Sequence, residues 1–158
     1  MTNLVRLLEA AEFPPRRRAE LRRMTPGHRP PLAFLQLAYQ ALPEHWEEKS
    51  WAWMTLVAGI ALMCPDPHRA DRPAGRVLAE VGLSEYRLEQ LLSCEGEALH
   101  RLLLGIARLL GARRLQVNWL DFACLLLESG PRGKDDIRLA IARDFYRPGD
   151  PRRKKSGL

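Results

Sequence analysis

Apolar residues recur at helical spacing along nearly the whole of this 158-residue chain. The clearest example is Glu95 to Leu110, where leucine and isoleucine recur three and four residues apart and so share one helix face. No stretch alternates cleanly between apolar and polar residues, as a strand with one buried face would. The sequence therefore predicts an all-α fold of about eight helices with a compact, bundle-like core.

Proline, glycine and capping residues predict where the helices begin and end. Ser84 and Asn118 are expected to cap the helices that follow them. The three longest predicted helices are Glu44 to Cys64, Glu95 to Leu110 with Gly111 closing it, and Lys134 to Tyr146.

The proline-rich stretch from residue 65 to residue 75 predicts a linker between two small helical lobes. The N-terminal lobe is expected to cover residues 1–70 and the C-terminal lobe residues 71–146. Residues 147–158 carry Arg152, Arg153, Lys154 and Lys155, and we expect them to form a basic, disordered tail.

The apolar segments predict a cytoplasmic protein without a membrane anchor. The N-terminus lacks the basic and then apolar pattern of a signal peptide. The most apolar stretch, Trp51 to Cys64, is 14 residues long, whereas a membrane-spanning helix needs roughly 20. The three cysteines are odd in number and widely spaced, so they predict neither a disulfide framework nor a metal site.

Positive charge is concentrated in two segments. The chain has a net charge of +6; residues 16–29 hold six arginines and one glutamate, and residues 147–158 hold five basic residues and one aspartate. Such localised charge favours an anionic partner, nucleic acid above all. Of the 25 basic residues 21 are arginine, whose planar fork suits phosphate, although a GC-rich genome would enrich arginine equally.

Catalytic patterns are not found. The four histidines are scattered, with His28, His45 and His68 in proline-containing loops where a solvated role is expected, and they form no pair with metal-ligand spacing. The glycines are isolated, so no phosphate-cradling loop is predicted. We therefore expect a protein that is not an enzyme and has no cofactor and no metal.

Clustered arginines are the best candidates for a binding site. Arg101 and Arg108 are seven residues apart and so share the face opposite the leucine stripe, while Arg22 and Arg23 extend the cluster that begins at Arg16. Such residues grip phosphates without reading sequence. For any one of them, pairing within the chain or simple solvation is the alternative.

Among the tryptophans, Trp46 is left open as a platform for base stacking.

Seven short motifs, in order, resemble the CasB family, the small subunit of the type I-E CRISPR surveillance complex Cascade. The resemblance covers roughly residues 16–146, with Asn118 where the family has an acidic residue before the tryptophan. The motifs are Ala19 to Arg23, Ala33 to Leu37, Gly75 to Ala79, Ser84 to Leu88, Ala107 to Leu110, Val117 to Trp119 and Ala142 to Tyr146.

The resemblance implies a non-catalytic helical protein that binds nucleic-acid backbone and stabilises the target-DNA R-loop in antiviral defence. Its expected partners are CRISPR RNA, target DNA, the other Cascade subunits and a second copy of itself. Residues matched to the family's arginines are Arg23, Arg87 and Arg108. Arg22, Arg101 and Arg143 are secondary candidates from charge and helix face. The alternative is a structural adaptor whose arginines meet acidic protein surfaces without contacting nucleic acid.

Overall fold

In the computed structural model, which describes residues 2–10 and 12–147, nine α-helices and one short 3-10 helix follow one another along the chain. No strand forms within these ranges, and His68 and Val117 make a single isolated bridge. The all-α prediction is therefore confirmed. The helices are α1 (Thr2–Glu9), α2 (Pro15–Arg22), α3 (Leu32–Ala41), the 3-10 helix (Trp46–Lys49), α4 (Ser50–Met63), α5 (Ala74–Glu80), α6 (Glu85–Ser93), α7 (Gly96–Ala112), α8 (Trp119–Leu127) and α9 (Pro131–Tyr146).

Helix α4 is the centre of the fold. Every residue from Met54 to Ala61 is buried, so this helix has no polar face to turn toward water. A helix that is apolar all round must be covered on every side. Helices α1, α2, α7 and α8 provide that cover.

Helices α4 and α7 run parallel and touch near both ends. Near their beginnings, Thr55 Oγ1 lies 2.7 Å from His100 Nδ1. Near their ends, a Cβ on Gly111 would lie 2.8 Å from the carbonyl oxygen of Leu62. Gly111 was expected to close α7, but the helix continues to Ala112. The glycine is needed inside the helix because the backbone of α4 passes so close to it.

Two other glycines allow close packing. A Cβ on Gly59 would lie 2.4 Å from the buried ring of Trp119, which fixes α8 against α4. A Cβ on Gly75 would lie 2.1 Å from the carbonyl oxygen of Ile141, so α5 crosses α9 almost backbone to backbone. Glycine is required at both crossings because a larger residue would push the helices apart.

The segment before α4 differs from its prediction. The predicted helix Glu44 to Cys64 begins only at Ser50, because His45 has a φ of 64° and a 3-10 helix intervenes. The turn directs Trp46 into the core, where its ring lies edge-on to Phe34 with centroids 5.4 Å apart. Trp46 is 6% exposed, so it is a core residue and not a platform for bases.

Capping side chains and a proline determine where several of the helices begin. The side chains of Ser84 and Asn118 accept hydrogen bonds from the Arg87 and Leu120 backbone N–H groups, which confirms both predicted caps. The last helix begins at Pro131 and not at Lys134. Proline suits the first helical position because the N–H group that it lacks would have no partner there.

The predicted linker is tied to the start of α8. His68 Nδ1 accepts a hydrogen bond from the Trp119 N–H group at 3.1 Å, and Asn118 donates to the carbonyl oxygen of Arg72 at 2.7 Å. The expectation that His68 is a solvated loop residue is therefore wrong. The histidine is half-buried and satisfies a backbone donor at the helix terminus.

Buried hydrophobic side chains form one contiguous cluster that draws on both sides of residue 70. The division into lobes 1–70 and 71–146 stays a prediction. Of the predicted tail 147–158, only Arg147 lies within the described residues. Among the described helices, none is long and apolar enough to cross a membrane.

Stability is expected to fall in mild acid because of His68 and His100. Burial lowers the pKa of both imidazoles below the ordinary value of 6.5. The unfolded chain therefore binds protons more readily, and stability that is complete above about pH 6.5 is lost as the pH falls below it. We expect His68→Gln to reduce the loss of unfolding free energy between about pH 7.5 and about pH 5.5. Urea unfolding at both pH values measures this, and an equal loss in both proteins would contradict it.

Gly75→Ala is expected to lower the free energy of unfolding by about 1–3 kcal/mol, because the added methyl meets the backbone of α9. Gly105→Ala is the matched control, since Gly105 is also helical and nothing lies within 4 Å of its would-be Cβ. That substitution should raise stability by about 0.5–1 kcal/mol. Chemical denaturation of the two variants measures both effects, and equal stabilities would rule out the proposed close crossing.

Candidate nucleic-acid interface

All six predicted arginines are exposed, but they lie in three different environments. Arg87 and Arg101 come together in a groove between α6 and α7, with Arg108 farther along α7. Arg22 and Arg23 lie at the end of α2, and Arg143 lies in the last turn of α9.

The groove between α6 and α7 has a volume of about 440 Å³. Arg87 enters it from α6 and Arg101 from α7, while Leu102, Gly105 and Ile106 also line it. Gly105 is exposed and has no side chain, so the surface of α7 stays open between the arginines of that helix. Two guanidinium groups around a partly apolar groove can bind a phosphate chain or a carboxylate.

Arg101 and Arg108 form a ridge on the exposed face of α7, with their Cα atoms about 10.5 Å apart along the axis. Arg101 makes an ion pair with Glu97, one turn earlier, and its hydrogen bond lowers the pKa of that carboxyl group. Exposed pairs of this kind contribute little to stability, because water screens the charges and two flexible side chains must be held in one geometry. A phosphate can therefore replace Glu97 as the partner of Arg101 at little cost.

Arg22 has a structural role that its neighbour Arg23 lacks. Arg22 Nε donates a hydrogen bond to the carbonyl oxygen of Ala61 at 2.8 Å, in the last turn of α4. The carbonyl groups of that turn have no partner within the helix and carry negative partial charge. The Arg23 side chain makes no hydrogen bond or ion pair with the part of the chain that the structure describes.

Other cations also border the end of α4. Gly111 contacts Leu62, and the chain then turns through Arg113 and Arg114, both exposed. Arg114 lines a cavity of about 510 Å³ together with Cys64 and Asp66. Because α4 and α7 are parallel, their negative ends lie side by side, and these arginines offset that charge.

Arg18 within the arginine-rich segment is also structural. It donates to the carbonyl oxygens of Leu8 at 2.8 Å and Ala10 at 3.2 Å, and lies over the ring of Phe13 at 5.6 Å. This role was not predicted from the sequence. The available signal was the i, i+3 spacing of Arg18 and the buried Leu21, which places this arginine close to the inward side of α2.

Arg143 is not brought together with the other five predicted arginines. Its Nε lies 3.5 Å from a carboxylate oxygen of Asp144, the next residue. Its position in the last turn of α9 also suits the negative end of that helix. Stabilising the helix end explains Arg143 as well as a contact with phosphate would.

Groups that could hold a metal ion do not occur among the described residues. His100 is half-buried beside Thr55 and Trp51, and His68 beside Trp119. Packing and hydrogen bonding explain the positions of both of these histidines.

The family described as CRISPR-associated protein Cse2 matches residues 17–146 of the chain. This span contains all six predicted arginines and the helices from α3 to α9 in full. No curated protein and no solved structure matches the chain.

The neighbouring residues Arg22 and Arg23 offer a test of the structural assignment. We expect Arg22→Ala to lower the free energy of unfolding by about 1–2 kcal/mol, because a charged donor to the end of α4 is lost. Arg23→Ala should change it by less than about 0.5 kcal/mol. Thermal or urea unfolding distinguishes them, and equal effects would show that the contact with Ala61 contributes nothing.

Proposed function

The chain belongs to the Cse2 family of CRISPR-associated proteins, the small subunits of type I-E Cascade, and from this membership we propose that it stabilises opened target DNA by binding nucleic-acid backbone. In RNA-guided recognition, base pairing reads the sequence. The exchange of DNA pairing for RNA–DNA pairing is nearly balanced in free energy, and protein contacts with the nucleic-acid backbone shift it toward the opened target. A subunit that supplies positive charge and no chemistry suits that task. The proposal includes no catalytic activity.

The observation that carries the proposal is the group of arginines that the fold leaves uncommitted. Arg23, Arg87 and Arg108 are exposed, and their side chains make no hydrogen bond or ion pair with the described residues. Long cationic side chains without a partner in the folded chain can meet phosphates with no internal contact to break. We propose these three as the principal contacts.

Arg22, Arg101 and Arg143 are proposed as secondary contacts because each has a partner within the chain. Arg101 can exchange Glu97 for a phosphate, since both side chains are largely exposed. Arg22 can bind a ligand through its two terminal nitrogens while its Nε remains hydrogen-bonded to the carbonyl oxygen of Ala61. Arg143 would have to share its charge with Asp144.

The partners proposed are CRISPR RNA, target DNA, the other subunits of Cascade and a second copy of this chain, in the cytoplasm. Backbone contacts read no base sequence, so the affinity should fall steeply with salt and depend little on target sequence.

A second function, that of an adaptor for acidic protein surfaces, has one observation in its favour. The groove between α6 and α7 contains Leu102 and Ile106 beside its arginines, and Arg101 already pairs with a carboxylate there. An acidic segment of another subunit would fit the same groove. The two functions differ in what fails when the arginines are removed, since the adaptor would lose assembly itself.

The triple variant Arg23→Ala, Arg87→Ala, Arg108→Ala is expected to assemble normally and to bind target DNA more weakly. The slope of log affinity against log salt should become shallower by about two to three for each copy of the subunit, as three phosphate contacts are lost. Binding by the reconstituted complex over a range of salt concentrations measures both quantities.

The matched control is Arg6→Ala, Arg76→Ala, Arg132→Ala, which removes the same charge from exposed arginines on α1, α5 and α9. The control should keep the salt slope of the native complex. Loss of assembly in the first triple variant would favour the adaptor. Normal assembly with unchanged target binding would show that the three arginines are ordinary surface charge.

A further inference from the structure

A second groove, lined by tyrosine and glutamate, lies between α6 and the end of α9. Its volume is about 570 Å³, and its walls include Glu85, Tyr86, Glu89, Leu92 and Tyr146. Tyr86 is 68% exposed and Tyr146 is 59% exposed, so both rings are available to a ligand. We call this surface the tyrosine–glutamate groove.

The tyrosine–glutamate groove carries uncompensated negative charge. Glu85 and Glu89 are one turn apart on α6, where like charges repel, and neither forms an ion pair with a cation in the described part of the chain. Desolvation of the Tyr146 hydroxyl at the groove wall, together with the negative charges of Glu85 and Glu89, raises the pKa of Tyr146. Phosphate would be repelled here, whereas a cation would be held by the carboxylates and by the faces of the tyrosine rings.

A cationic segment follows the groove directly in the sequence. The described chain ends at Arg147, next to Tyr146 in the groove wall, and Arg152, Arg153, Lys154 and Lys155 come six to nine residues after that tyrosine. Six residues can reach up to about 20 Å. A short tether also gives an effective concentration in the millimolar range, which a separate molecule would have to match.

We propose that the tyrosine–glutamate groove binds the basic segment Arg152 to Lys155 of the same chain. Arginine and lysine side chains pair with Glu85 and Glu89, and the two tyrosines cover their aliphatic stems. The contact would hold four positive charges away from the arginine groove between α6 and α7. This proposal does not depend on the proposed function, because the two grooves share no residue.

Photo-cross-linking in the full chain tests the contact. A benzoylphenylalanine in place of Tyr86 should form cross-links to residues 148–158, identified by mass spectrometry, in a product with the mass of a monomer. The cross-link yield should fall severalfold when Arg152, Arg153, Lys154 and Lys155 are replaced by serine, and should fall at high ionic strength. The same probe in place of Tyr39, on α3, should give no cross-link to this segment.

A charge-matched pair of variants tests the carboxylates. Glu85→Gln with Glu89→Gln should reduce the cross-link severalfold, whereas Glu47→Gln with Glu48→Gln, at exposed positions of the 3-10 helix, should leave it unchanged. Cross-links confined to a dimeric product would assign the groove to a second copy and overturn the proposal. A cross-link yield that is unchanged by both the serine and the Glu85/Glu89 substitutions would overturn it as well.

Discussion

The structure depends on the burial of α4, a helix that has no face suited to water. Its residues from Met54 to Ala61 are all enclosed, and four helices from both halves of the chain supply the enclosure. Glycine residues allow the closest of these contacts. Gly111 meets Leu62 on one side, and Gly59 within α4 receives the ring of Trp119 on another. Covering α4 fixes the positions of α2 and α7, and with them two of the arginine groups.

The same packing divides the arginines into structural and uncommitted ones. Parallel α4 and α7 bring two negative helix ends together, and a donor such as Arg22 is stabilised there. Arg18 does similar work at the end of α1. An arginine-rich sequence therefore overstates the charge available to a ligand, because part of it satisfies carbonyl groups. The arginines without a partner in the described residues include Arg23, Arg87 and Arg108, which are the contacts that we propose for nucleic acid.

Features set by neighbouring residues could be predicted from the sequence, and features set by distant contacts could not. The caps at Ser84 and Asn118 involve residues two or three positions away, and the ridge of Arg101 and Arg108 follows from helix periodicity alone. The late start of α4 could not be predicted, since it depends on Trp46 packing against Phe34. The meeting of Arg87 with Arg101 likewise needed the packing of α6 on α7.

Helix α6 separates two surfaces of opposite charge. Arg87 is two residues from Glu85 and from Glu89, which is about 200° around a helix, so the arginine points away from both carboxylates. The arginine lines the groove toward α7, and the carboxylates line the groove toward α9. A phosphate chain is attracted to the first groove and repelled by the second. Under the proposed function, α6 therefore orients the ligand, because it offers only one of its sides to phosphate.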